Sequence, residues 1–141
     1  MARTLALVLF VAVLAGCGGK SAASPEEVVR AWSQALNRGD DRAAADLFAR
    51  GARAVQGGRV FVLRTHDEAA AWNRGLPCAG RIVSLGRRGE LVTATFVLGH
   101  RPGHTCDGPG AEATAVFRVR GGKIVLWHQT GTQATPPAPV V

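Results

Sequence analysis

The sequence predicts an α+β domain whose helices cover one face of an antiparallel sheet. Three observations carry this. Ser24-Pro25-Glu26-Glu27 and Thr65-His66-Asp67-Glu68 are capping-box signatures, each placed just before a run of apolar residues at helical spacing. From Arg81 to Gln129 the chain changes to strand-like runs rich in Val, Ile, Thr and Phe. Gly121-Gly122 separates the last two of these runs, a two-residue hairpin signal.

Ahead of the domain lies a leader. Arg3 is followed by an apolar run from Leu5 to Ala15, the charged and apolar regions of an export signal. Crossing a bilayer takes about 20 apolar residues, so this run is too short to be a spanning helix. Leu14-Ala15-Gly16-Cys17 resembles the lipobox of bacterial lipoproteins. The resemblance implies a diacylglyceryl group on the Cys17 thiol and cleavage just before it. Residues 1–16 are then the signal peptide, and residues 17–23 the lipidated cysteine with its tether. One acyl chain holds only marginally to a membrane, at ~0.8 kcal/mol per buried methylene; two chains on one sulfur make a stable anchor. The competing reading is an ordinary signal peptide cut nearby. The expected location is the extracytoplasmic side of the cell membrane, with membrane lipid engaged through acylated Cys17.

Composition fits one globular, loop-rich domain: 47% hydrophobic, with 18 Gly and 7 Pro. The formal charge of +7 comes mostly from scattered arginines. No basic run and no aromatic–basic interleaving is present, so no nucleic-acid partner is expected. Attraction to an anionic membrane or wall surface is one reading of this charge, a soluble surface the other. With Cys17 taken by lipid, Cys78 and Cys106 remain. Outside the cytoplasm they are expected to form a disulfide.

The elements follow in order. Gly18 to Ala23 is a small-residue tether reaching at most ~20–25 Å. Ser24 opens a helix with Val28, Val29, Trp32, Ala35 and Leu36 on one stripe, ended by Asn37-Arg38-Gly39. Asp40 caps a second helix through Phe48, with Ala43, Ala44, Leu47 and Phe48 inward. Val60 to Leu63 is a short strand. Thr65 opens a third helix through Trp72, stopped at Gly75-Leu76-Pro77. Strands Arg81–Leu85 and Leu91–Leu98 flank a turn at Gly86–Glu90, and Ala111–Arg120 pairs with Lys123–Gln129. The domain is placed at residues 24–130 and a disordered tail at 131–141.

At this point the chain resembles the nuclear transport factor 2-like superfamily, and within it the SnoaL-like branch. The segment Asn37 to Gly58 resembles that family's second helix and following turn; Phe117 to His128 resembles its last hairpin. The resemblance implies a cone-shaped fold, N-terminal helices packed on a curved antiparallel sheet, with a pocket between them. The cystatin-like arrangement of one helix over a sheet is the nearest alternative, and three helices before the sheet favour the former.

The two-residue turn predicts that Arg120 faces Lys123, Val119 faces Ile124, Phe117 faces Leu126 and Ala115 faces His128. Val119, Phe117, Ile124 and Leu126 then share one apolar face with His128; the resemblance implies a pocket between that face and the helices, with Trp32, Phe48, Phe96, Phe117, Leu126 and His128 as its candidate residues. His128, with Asp46 from the second helix, is the candidate acid–base pair if the domain is catalytic. A core or rim histidine and a solvated helix aspartate are the structural readings of the same two residues. Relatives include isomerases, dehydratases and cyclases, several of which use tyrosine. This chain has none. His100, His104 and Cys106 have metal-ligand spacing, but a disulfide would consume the sulfur, so neither metal nor cofactor is expected. The expected function is a non-catalytic envelope lipoprotein that binds a small apolar ligand or serves as an accessory module. The alternatives are a cyclase, isomerase or dehydratase, and a pure interaction domain. A homodimer or an envelope protein would dock on an outer sheet face formed by Val116, Val125 and Trp127.

Overall fold

The computed structural model describes residue 19 and residues 21–133. The expected export leader, Cys17 and the part of the expected tail from residue 134 on lie outside the described residues. Among the described residues no helix is long and apolar enough to cross a membrane.

Three helices and six strands follow one another as α1 (Pro25–Asn37), α2 (Asp41–Asp46), β1 (Phe48–Gln56), β2 (Arg59–Leu63), α3 (His66–Arg74), β3 (Ala79–Arg88), β4 (Leu91–Gly99), β5 (Glu112–Arg120) and β6 (Lys123–Gln133). The strands form one curved, unclosed sheet in the order β2-β1-β6-β5-β4-β3. Every neighbouring pair is antiparallel except β1 and β6, which run parallel.

α1 begins as its sequence predicts. Ser24 N–H donates to Glu27 Oε2 at 2.6 Å, and Glu27 N–H donates to Ser24 Oγ at 3.3 Å. The backbone donor first and the Ser24 side chain second hold the Glu27 carboxyl below its ordinary value. At α3 the box is offset: Thr65 Oγ1 accepts from Glu68 N–H, but Glu68 reaches one residue further back, to Arg64 N–H at 2.6 Å.

α1 lays Val28, Val29, Trp32 and Leu36 against the inner face of the sheet, where they join Phe96, Phe117, Val92, Val119, Ile124 and Trp127 in one core. Trp32 meets Phe117 edge-on at 5.3 Å and Trp127 at 6.2 Å, and Trp72 meets Trp127 at 4.9 Å.

Four expectations are corrected. The second helix stops at Asp46, and Phe48 opens β1. The stretch FARGARAVQ carries no sustained apolar alternation, and its Ala and Arg favour helices, so no strand is expected there. Gly51 sits at φ 75°, and Gly57 and Gly58 at φ 56° and 75° close the β1–β2 hairpin, so tertiary pairing overrides that propensity. β3 and β4 are longer than expected, and their turn is only Gly89-Glu90, since Arg88 already pairs with Leu91. β6 continues to Gln133, which pairs with Glu112, so residues 131–133 belong to the sheet and not to a tail.

The fourth correction is the register of the last hairpin. Arg120–Lys123 and Val119–Ile124 pair as expected, but the next pair is Arg118–Leu126, followed by Phe117–Trp127 and Val116–His128. Val125 is the extra residue of a β-bulge. Because side chains alternate with period two, one extra residue exchanges the faces of everything beyond it. Trp127 therefore turns inward and is 5% exposed, while Leu126 and His128 turn to the outer face.

Candidate functional site

Between α1, the segment from Leu76 to Gly80 and the inner faces of β4, β5 and β6 lies a cavity of about 220 Å³. Its walls come from Trp32 and Leu36 on α1, Phe96 and Leu98 on β4, and Trp127 on β6. Small residues leave the space: Ala79, Gly80, Ala113 and Ala115 all line it. Gly80 cannot be larger, because a Cβ there would stand 2.9 Å from Phe96 Cβ. Asn37 holds this strand start against α1, donating to Gly80 O at 3.1 Å and accepting from Gly80 N–H at 3.0 Å. Ser33 Oγ donates to the same carbonyl at 3.0 Å.

One side of the lining is polar. Gln56 Nε2 donates to Gln129 Oε1 at 3.1 Å, and Gln129 Nε2 donates to Thr132 Oγ1 at 2.6 Å. The Trp127 indole N–H is buried with no acceptor among the described residues. A buried unpaired donor costs roughly 1–3 kcal/mol; the ring of Trp127 lines the cavity, but its N–H is shut off from that space by the surrounding core.

Cys78 and Cys106 are joined, with sulfurs 2.08 Å apart, and Cys78 forms part of the lining. Asp107 Oδ1 lies 3.3 Å from Cys78 Sγ. A disulfide sulfur carries no hydrogen, so this is a carboxylate resting against sulfur and not a hydrogen bond. The same bond leaves no thiolate to ligate a metal beside Asp107. His100 Nδ1 accepts from Cys106 N–H at 3.0 Å, and the two ring nitrogens of His104 lie 3.1 Å from Pro102 O and 2.8 Å from Arg74 O. The His100, His104 and Cys106 set is thus engaged with the fold rather than gathered around a common point.

Of the six expected pocket residues, Trp32 and Phe96 line the cavity. Phe117 lies behind Trp32 in the core, and Phe48 packs edge-on against Trp72 at 5.6 Å, away from the cavity. Leu126 and His128 lie on the opposite face of the sheet. His128 and Asp46 do not meet: Asp46 Oδ1 instead contacts His66 Nε2 at 2.8 Å on the exposed surface where α2 and α3 adjoin. The bulge at Val125 separates the first pair, and the early end of α2 turns Asp46 toward α3. Asp107 is the only carboxylate among the described residues that line the cavity.

A buried polar tie behind the cavity has no counterpart in the sequence reading. Trp32 Nε1 donates to Asn73 Oδ1 at 2.9 Å, and Asn73 Nδ2 donates to Ala69 O at 2.8 Å. Arg101, its side chain wholly buried, donates to Asn73 O at 2.9 Å and Leu76 O at 3.1 Å, and pairs with Asp41. This tie fixes α1, α2 and α3 to the loop that carries Cys106. A lone Asn in a helix and a lone Arg in a Gly/Pro-rich loop carry no pattern that would have revealed it.

A Cytophaga hutchinsonii NTF2-like protein of unknown function superposes with a TM-score of 0.65 at 13% identity, over 79% of this chain and 92% of that one. A Catenulispora acidiphila protein with a ketosteroid isomerase-like fold, solved in complex with trimethylamine, gives 0.61 at 22% identity, over 74% and 85%. A Pseudomonas putida protein described as a candidate polyketide cyclase gives 0.58 at 20% identity, over 77% and 92%. No curated protein sequence shows significant similarity to the chain. These likenesses establish the cone-shaped NTF2-like fold. The sequence profile of the SnoaL-like domain matches residues 29–127, from the first buried turn of α1 to the cavity tryptophan of β6, and the chain belongs to the SnoaL-like domain family.

Proposed function

We propose that the chain is a lipid-anchored, extracytoplasmic SnoaL-like domain that takes a small, mostly apolar ligand into its cavity without transforming it. One observation carries the reading: a half-open cavity walled by Trp32, Phe96, Trp127, Leu36 and Leu98, with a polar side made by Gln56, Gln129 and Thr132. Apolar walls with a few placed polar groups are the usual make-up of a small-molecule site. The Gln56–Gln129–Thr132 chain orients the polar end of the ligand. The Leu14–Cys17 lipobox supports the anchor, and a Cys78–Cys106 bond accords with an oxidising compartment.

Cyclase, isomerase or dehydratase chemistry is the second reading, and Asp107 favours it as a carboxylate in the lining. The experiment that separates the two titrates the full chain with an apolar fluorophore, anilinonaphthalene sulfonate, while following tryptophan emission. Ala115→Leu fills the cavity and is expected to weaken binding about tenfold or more, with thermal unfolding shifted by only a few degrees. Gln129→Ala, at the polar side, is expected to weaken it less. Equal binding by all three chains sinks the cavity reading. Turnover of a carbonyl substrate that Asp107→Asn abolishes, with fluorophore binding retained, establishes the enzyme instead.

A further inference from the structure

The outer face of the sheet carries a pattern that the cavity does not use. Register places Val62, Arg53, Leu126, Arg118, Leu91 and Arg88 side by side in one row across all six strands. Cationic and aliphatic side chains alternate along it. Among the described residues Arg53, Arg88 and Arg118 have no ion-pair partner. The adjacent row begins with Val60 and Val55 and continues through His128 and Val116; Val60 and Val62 are 49% and 40% exposed. Two carboxylates belong to this face among the described residues: Glu112, at its far end opposite Val97, and Glu90, in the turn beside the arginine row, which is already paired with Arg120.

The arginine row lies near the end of the sheet where the turns Gly89-Glu90 and Gly121-Gly122 are found. α1 starts at that same end: Glu26, in its first turn, reaches Arg87 at 3.3 Å. The chain therefore enters the domain at the arginines' end of the sheet, from the opposite, helix-covered face. From Ser24 back to Cys17 it spans at most ~25 Å.

We propose that this outer face is a docking surface for an anionic lipid bilayer. Guanidinium groups bind lipid phosphates with two parallel donors. The leucines and valines between them settle into the headgroup layer, as apolar residues do at an interface rich in basic ones. A second copy of the chain fits the face less well, since a two-fold pairing sets three unpaired arginines against their own kind, with only Glu112 and the Arg120-bound Glu90 in answer. The direction of approach rests on the anchor reading; the charge and apolar pattern do not.

The test uses the full chain carrying Cys17→Ser, so that no acyl group contributes. Partition is measured by flotation with phosphatidylglycerol vesicles and with phosphatidylcholine vesicles, at about 0.05 M and about 0.5 M salt. The leader Leu5–Ala15 is common to every variant and cancels in the comparison. The parent is expected to prefer the anionic vesicles on the order of 100-fold at low salt and to lose that preference at high salt. Each basic side chain at an anionic leaflet is worth about fivefold. The combined Arg53→Gln, Arg88→Gln and Arg118→Gln chain is therefore expected to lose on the order of 100-fold, and the matching Lys chain to retain most of the preference. All three should melt cooperatively within a few degrees of one another.

No preference in the parent, or the same preference in the Gln chain, overturns the proposal. So does a dimer in solution that the Gln substitutions dissolve, which would assign the face to a second copy. The anchor is read separately, from the mass of Cys17 in chain recovered from membranes. An unmodified Cys17 removes the anchor reading and leaves the vesicle result standing.

Discussion

Asn73 sits where three elements meet and is wholly buried. Its carboxamide oxygen accepts the Trp32 indole proton, its nitrogen donates to Ala69 O, and its backbone carbonyl accepts from Arg101. Buried polar groups gain little net stability when paired but cost heavily when orphaned. Asn73→Ala leaves the Trp32 N–H without its partner and opens a small void beside it. The expected loss is about 2–3 kcal/mol of unfolding free energy, measured by urea titration. Trp32→Phe in the same background should recover part of that loss, because it removes the orphaned donor. If the double change is no better than the single one, the hydrogen bond is not what Asn73 contributes.

At the level of elements, the bulge at Val125 decides which side of the sheet each late residue occupies. Deleting Val125 leaves Ile124 opposite Val119 and Leu126 opposite Arg118, so the face pattern survives. The deletion is expected to fold, with a buried-tryptophan emission and a loss of ~1–2 kcal/mol from the altered twist. Deleting Thr93, in a stretch of β4 that pairs with β5 without interruption, moves core positions outward and is expected to prevent folding. A Val125 deletion with red-shifted emission would show that the hairpin keeps its original spacing and turns Trp127 to solvent.

The same bulge marks where the sequence stopped being informative. Helix starts were legible, because Ser24, Asp40 and Thr65 act on donors within a few residues of themselves. So was the Gly121-Gly122 turn, whose first two flanking pairs stand as expected. Trp127 and His128 were assigned to the wrong faces, because an extra residue in a strand leaves no local mark. β1 was hidden for a related reason: Ala52 and Ala54 are small enough to lie beneath α3, yet in the sequence they read as helix formers. Trp32 and Phe96 were placed in the cavity by their apolar positions together with the pocket that the family resemblance implies. Gln56, Gln129 and Asp107 were not, since nothing local separates a lining amide or carboxylate from a solvated one.

For the molecule as a whole, the Cys78–Cys106 bond and the Arg101 tie hold the start of β3 and the loop after β4 to the helical layer. Closing a loop of sequence separation 28 removes about 3–4 kcal/mol of disorder from the unfolded chain in the loop-entropy account. Cys78→Ser with Cys106→Ser is expected to lower the melting temperature by about 10–20 °C. Because Cys78 also lines the cavity, fluorophore binding should weaken below the melting transition as well. Unchanged melting would mean that Arg101 and its carbonyl partners alone suffice to hold the loop.

The last strand in the chain is not at the edge of the sheet: β6 lies between β1 and β5, and it is β1's only link to the rest of the sheet. The β1–β2 hairpin, made early in synthesis, has no seat until the final residues of the domain arrive. Assembly is thus governed by contacts of very long sequence separation, which slows folding. The chain emerges from the ribosome as two unjoined pieces, a hairpin and a three-strand meander, awaiting one closing strand. A chain cut short before β6 is not a smaller version of this domain but an unfinished one. The missing strand supplied as a separate peptide should be able to complete it.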